Sequence, residues 1–179
     1  CGVHYDKERG GSGYRAASEG DREALKEARE TINSNLELST LLNTNRFVGS
    51  QDRAAPYGML QWRDIYSPRQ FLAHATYMQV FNELKKEIKE EYEPQKAEAI
   101  LVLLSFISTK LINRNSRLLP LDVRRGAPNS MLGNNNFAFQ WHFGESNITS
   151  GSYSYKSTLD NIVKEYEELV SYFGDENLQ

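Results

Sequence analysis

Apolar positions recur along most of this chain at intervals of three and four. Leu25, Ala28, Ile32 and Leu36 fall on one face of a segment that starts at a Ser18 cap and runs to about Asn35. Its other face carries Arg22, Lys26, Glu27, Arg29 and Glu30, an ordinary solvated surface. The same spacing returns in Phe71, Ala75, Met78, Phe81, Leu84 and Ile88 and predicts a long helix from Pro68 to about Tyr92, with Pro94 forbidding much extension. The run Lys85, Lys86, Glu87, Lys89, Glu90 and Glu91 sends its far end into water. From Gln95 to about Asn113 the chain is apolar on most sides, the pattern of a helix buried in the centre of a bundle. A last amphipathic helix is expected from Thr158 to Phe173, with Ile162, Val163, Tyr166, Leu169, Val170 and Phe173 inward and Gly174 at its stop. One stretch breaks the rhythm: Phe137, Phe139, Trp141 and Phe143 alternate strictly, as on a half-buried strand whose partners must come from elsewhere. The expected fold class is mainly α, a helical bundle of about four helices with a short β element.

The start of the long helix can be read residue by residue. Ser67 stands where an N-cap belongs, Pro68 takes the first helical position, and Gln70 follows the serine at capping-box spacing. Hydroxyl and amide then each satisfy a backbone group that the first turn leaves unpaired. Tyr66 and Phe71 occupy the two positions of a hydrophobic staple. Capping leaves Trp62, Asp64 and Arg69 without a structural reason, and they become candidates for function. Residues 1–14, with Gly10, Gly11, Ser12 and Gly13, read as a flexible N-terminal loop, and 15–179 as a single helical domain. The chain opens on Cys1 instead of methionine, so a fragment of a larger protein is expected.

Composition narrows the classes. Apolar residues make up 39% of the chain and charged residues 25%, values that argue against disorder and against a membrane span. The longest apolar run, Ala99 to Leu104, is far short of the about 20 residues that cross a bilayer. One cysteine permits no disulfide framework and suits a reducing, cytoplasmic location. The net charge is −3, yet Lys110, Arg114, Arg117, Arg124 and Arg125 face a single Asp122 between positions 110 and 125. A local basic face can find phosphate on an acidic body, and a plain solvated surface satisfies the same pattern. Cys1 and His4 supply two metal ligands where a structural zinc asks for four, and two more would have to come from outside these residues, so no metal site is assigned; a small metal-dependent enzyme using Cys1, His4, His74 and His142 ranks well below the other readings. No glycine-rich strand-to-helix loop, nucleophile elbow or histidine pair at helical spacing is present, so no catalytic residue is assigned.

Two segments carry a resemblance. Tyr57-Gly58 followed by Trp62-x-Asp64-x-Tyr66-x-x-Arg69-Gln70 is similar to the Tyr-Gly…Trp-x-Asp-Leu-Phe-x-x-Arg-Gln segment of a family of large adenine-specific DNA methylases. Phe139-x-Trp141-x-Phe143-x-Glu145-x-Asn147 resembles that family's aromatic strand ending in Glu-Ala-Asn-Pro. The departures are Ile65 and Tyr66 in the first segment and Ser146 and Ile148 around Asn147. With the helices between them, the resemblance spans about Tyr14 to Phe173. It implies a helical module lying between the S-adenosylmethionine site and the Asp-Pro-Pro-Tyr segment of a parent methyltransferase, neither of which occurs in this chain. S-adenosylmethionine is thus implied for the parent and no cofactor for the chain. The parent's chemistry would be methyl transfer to the N6 amine of a flipped adenine.

Within that picture Lys110, Arg114, Arg117, Arg124 and Arg125 are the candidates for DNA phosphate contacts. Asn134 and Asn135 are candidates for base edges, although a run of asparagines also simply makes a turn. Arg69 is expected either to pair with Asp64 or to face the cofactor half of the parent. Trp62 and Trp141 fit a core better than a stacking platform. The implied partners are DNA, through the parent, and the remainder of the methyltransferase, with no membrane. The alternative from another class is a non-enzymatic helical interaction module of a DNA modification or defence complex, which would show an exposed apolar patch.

Overall fold

The computed structural model describes residues 2–6, 11–41, 55–122, 127–131 and 143–174. It is mainly helical: α1 (Glu19–Ser34), α2 (Leu36–Leu41), α3 (Pro68–Glu91), α4 (Pro94–Ile112) and α5 (Tyr155–Phe173). Two small antiparallel pairs accompany them, β1 (Gly2–Asp6) with β2 (Gly11–Arg15), and β3 (Leu121–Asp122) with β4 (Ala127–Pro128). The glycine-rich start, expected as a loop, is therefore a hairpin in which Val3 lies opposite Tyr14 and Asp6 opposite Gly11. The aromatic alternation falls mostly on residues 137–142, which lie outside the described residues.

The helix starts follow from their caps. Ser18 and Asp21 form a reciprocal capping box on α1, and Ser67 and Gln70 form another on α3 with Pro68 just inside. Ser154 accepts from the backbone of Ser157 and starts α5 at Tyr155, ahead of the expected Thr158. Near Asn35 the apolar phase resets. Asn35 leaves the helical region and its side chain caps the next helix, so Leu36 turns outward at 79% exposure while Leu38 takes the buried place.

The core is three small clusters gathered around the first half of α3. Phe71 and Ala75 pack with Ile32 and Leu38 from α1 and α2. Ile65, in the 3-10 turn Trp62–Ile65, packs with Met59 and Leu118, and Trp62, Tyr66 and Met131 cover them. Ile107, Leu111 and Ile148 form the third, against Ala73, Tyr77, Tyr155 and Ile162. Tyr77 and Tyr155 stack with centroids 4.7 Å apart, and their hydroxyls donate to the carbonyls of Leu104 and Ala73. The central helix is thus α3 and not α4, which was expected to be buried all round. α4 buries only Ala97, Ile107 and Leu111 and leaves Val102 and Phe106 exposed. The second half of α3 projects into water, as its charges predict.

Candidate functional site

Three segments of the chain meet at the N-terminal end of α3. Gln70 and His74 lie one turn apart on its inner face, and both are buried. They meet Asn115, itself 1% exposed, in the turn that follows α4. Asn115 Oδ1 accepts from Gln70 Nε2 at 3.1 Å and from the backbone N–H of Ser146 at 3.1 Å. Its carbonyl accepts from His74 Nε2 at 3.2 Å. Gln70 Oε1 in turn accepts from the Ser67 N–H, so a helix cap and a long-range contact share one amide.

Glu145 closes this junction from outside. Arg69 Nε donates to its Oε1 at 2.9 Å and Arg69 Nη2 to its Oε2 at 3.2 Å, a bidentate fork. Ser67 Oγ donates to the same Oε2 at 3.2 Å. The approach is close: a Cβ on Gly144 would sit 2.8 Å from Pro128 Cγ and 3.2 Å from Leu121 Cδ1. Only a residue without a side chain lets the chain pass there and present Glu145. Asp64, the other expected partner of Arg69, instead holds its own turn, with Oδ2 accepting from Leu60 N at 2.9 Å and Gln61 N at 2.8 Å.

Burial sets the protonation states. His74 is lowered from 6.5 to about 4 by desolvation, against the smaller opposing effect of its bond to the Asn115 carbonyl, so it is neutral at pH 7. Since Nε2 donates, Nδ1 is an acceptor, and among the described residues neither it nor the buried Ser146 Oγ has a partner. The Tyr66 ring packs edge-on to His74 at 5.2 Å, and desolvation raises its phenol to about 12.

Beside the junction runs a cleft of about 270 Å³. Arg29 of α1, Arg63 of the 3-10 turn and Arg117 of the turn after α4 line it, with Asn33, Asp64 and Tyr66. Arg63 lies 5.0 Å over the Phe71 ring. Arg117 donates to the Asp64 carbonyl at 3.1 Å and stands 5.9 Å from the Phe143 ring. Among the described residues none of the three is ion-paired, in contrast to Arg69.

A second groove, of about 410 Å³, lies between α4 and α5. Leu103, Phe106, Ile162, Tyr166 and Leu169 make it apolar, with Lys110 and Glu165 at its edge. Of the α5 face expected to be inward, only Ile162 and Val170 are half-buried. Tyr166, Leu169 and Phe173 are 51%, 54% and 57% exposed.

The structure thus separates residues that the sequence grouped. Of the basic candidates, Lys110 goes to the apolar groove, Arg114 lies 5.9 Å from the Tyr153 ring, and Arg117 joins the cleft. Arg124, Arg125, Asn134, Asn135 and Trp141 lie outside the described residues, as do Cys1 and His142. Gly58 holds φ +82°, which favours glycine, and its N–H closes the turn on Ala55. Asn147 is exposed and holds a turn through Thr149 and Ser150. Sequence reading missed Arg29, Arg63, Asn115 and Gly144. Arg29 looked like one charge on a solvated face, and nothing near Asn115 in sequence marks it as a hub. Among the described residues no three histidine, cysteine, aspartate or glutamate side chains gather as metal ligands. Among the same residues no helix is long and apolar enough to cross a membrane. Compared with protein-family models, with curated proteins and with solved structures, the chain finds no match.

Proposed function

We propose that this chain is a non-catalytic helical module of an S-adenosylmethionine-dependent, adenine-specific DNA methyltransferase, contributing DNA contacts or linking the catalytic halves. The observation that carries the reading is the fork between Arg69 and Glu145. These residues belong to the two separate segments that resemble the methylases, and they meet across the start of α3 together with Ser67 and Gln70. The junction's side chains are spent largely on each other, which suits a structural joint and leaves cofactor and chemistry to the rest of the parent. The test is methyl transfer from S-adenosylmethionine to duplex DNA, measured for the full product of the gene and for residues 1–179 alone. Adenine methylation by the first and none by the second is expected. Activity in neither, with intact folding, contradicts the proposal.

A second reading is favoured by the open apolar face of α4 and α5: a protein-interaction module that binds no DNA, with that face covered by a partner subunit. Light scattering after size exclusion distinguishes the two when combined with DNA titration. Self-association or capture of a subunit without DNA binding favours the second.

A further inference from the structure

We infer that the cleft formed by Arg29, Arg63 and Arg117 is a phosphoryl-binding site that takes the backbone of DNA. The three arginines come from segments far apart in sequence and meet in one opening of about 270 Å³. Arginines left without carboxylate partners around a concave surface raise the local potential and offer forked donors, the arrangement that suits a phosphate. Two of them are held in place by contacts that leave their charge uncompensated: Arg63 over Phe71, and Arg117 by a backbone carbonyl beside the Phe143 ring. The single acid in the cleft, Asp64, has one oxygen occupied by two backbone N–H donors. Asn33 and the protonated Tyr66 phenol add neutral polar groups. The site is small and open, so it fits one phosphate of a passing strand. The lining of the cleft holds three arginines against the one carboxylate of Asp64, although α1 also carries Glu19, Asp21, Glu23, Glu27 and Glu30 and the chain is −3 overall.

The choice of DNA as the source of the phosphate rests on the methylase reading; the site itself does not. The test is a fluorescence-anisotropy titration of the full chain with a labelled 16-base-pair duplex at 50 and 200 mM salt. It runs beside thermal melts in inorganic phosphate and pyrophosphate. Arg29→Glu is the main variant, because Arg29 is exposed and is not ion-paired among the described residues. Lys85→Glu, at the far half of α3, makes the same charge change away from the cleft. Arg63→Lys keeps the charge and removes the fork. Arg29→Glu is expected to weaken DNA binding by about fivefold or more at 50 mM salt, and Arg29→Ala to lower the salt slope by about 1. Lys85→Glu should change affinity less than twofold, and Arg63→Lys should fall between. Equal effects of Arg29→Glu and Lys85→Glu overturn the site, as does binding of neither DNA nor phosphate. Phosphate protection lost in Arg29→Glu, without DNA binding, keeps the site and removes the DNA-contact role from the function proposed above.

Discussion

Replacing Asn115 by leucine removes the hub of the α3 junction while nearly conserving volume. Two donors lose their acceptor: Gln70 Nε2, which is buried, and the Ser146 N–H, which is part-buried. A buried donor left without a partner costs about 1–3 kcal/mol, and the Ser146 N–H, nearer water, falls at the lower end. The hydrogen bond from His74 ends on the Asn115 backbone carbonyl and survives the substitution. The total is therefore about 2–4 kcal/mol, before any gain from the apolar side chain. Urea unfolding followed by tryptophan fluorescence reads it directly. With a urea dependence of about 2 kcal/mol/M, the midpoint should drop by about 1–2 M at unchanged slope. Pairing the change with Gln70→Met should recover nothing, because the buried Ser67 N–H then loses its acceptor, Gln70 Oε1, as well. A single-variant midpoint shift below about 0.3 M would refute the assignment of Asn115 as the residue that ties these three segments together.

Three further outcomes test the same junction. His74 is lowered from 6.5 to about 4, so the unfolded chain takes up a proton that the folded chain refuses; the stability present above pH 6.5 is lost as pH falls towards 4. Between pH 7 and 4.5 this removes about 2–3 kcal/mol, and His74→Gln should show a correspondingly smaller loss in urea titrations at the two pH values; identical losses would rule the histidine out. Gly144→Ala places a methyl against Pro128 and Leu121 and should destabilise by about 1–3 kcal/mol, seen as a lower Tm. The Arg69–Glu145 pair is 40% and 24% exposed, so a double-mutant cycle with Arg69→Met and Glu145→Gln should give a coupling of only about 0.5–1 kcal/mol, screened by salt.

What could be read from the sequence was local. Ser67, Pro68 and Gln70 announce the start of α3 because capping depends on residues three apart, and the projecting end of α3 follows from its own charges. What escaped depended on distant partners. Leu36 and Leu38 exchange roles because the chain leaves the helix at Asn35, and a periodicity count carries on through such a break. α4 is apolar enough to be central, yet α3 is central because its first half meets α1, α2 and α4 together. Arg69 had a nearby candidate in Asp64 and found Glu145, a residue 76 positions away. The basic run from Lys110 to Arg125 suggested one face, but Lys110 stays on the last turn of α4 while the turns that follow send Arg114 and Arg117 to different places. The cleft is built from arginines that no single window of sequence contains.

The measurement that bears most directly on the account is a proton–nitrogen correlation spectrum of the full chain, recorded while a short duplex is added at low salt. The account predicts shifts concentrated at Arg29, Asn33, Arg63, Asp64 and Arg117, with the amides of α5 unmoved. Shifts confined to α5, or none at millimolar DNA, would contradict it.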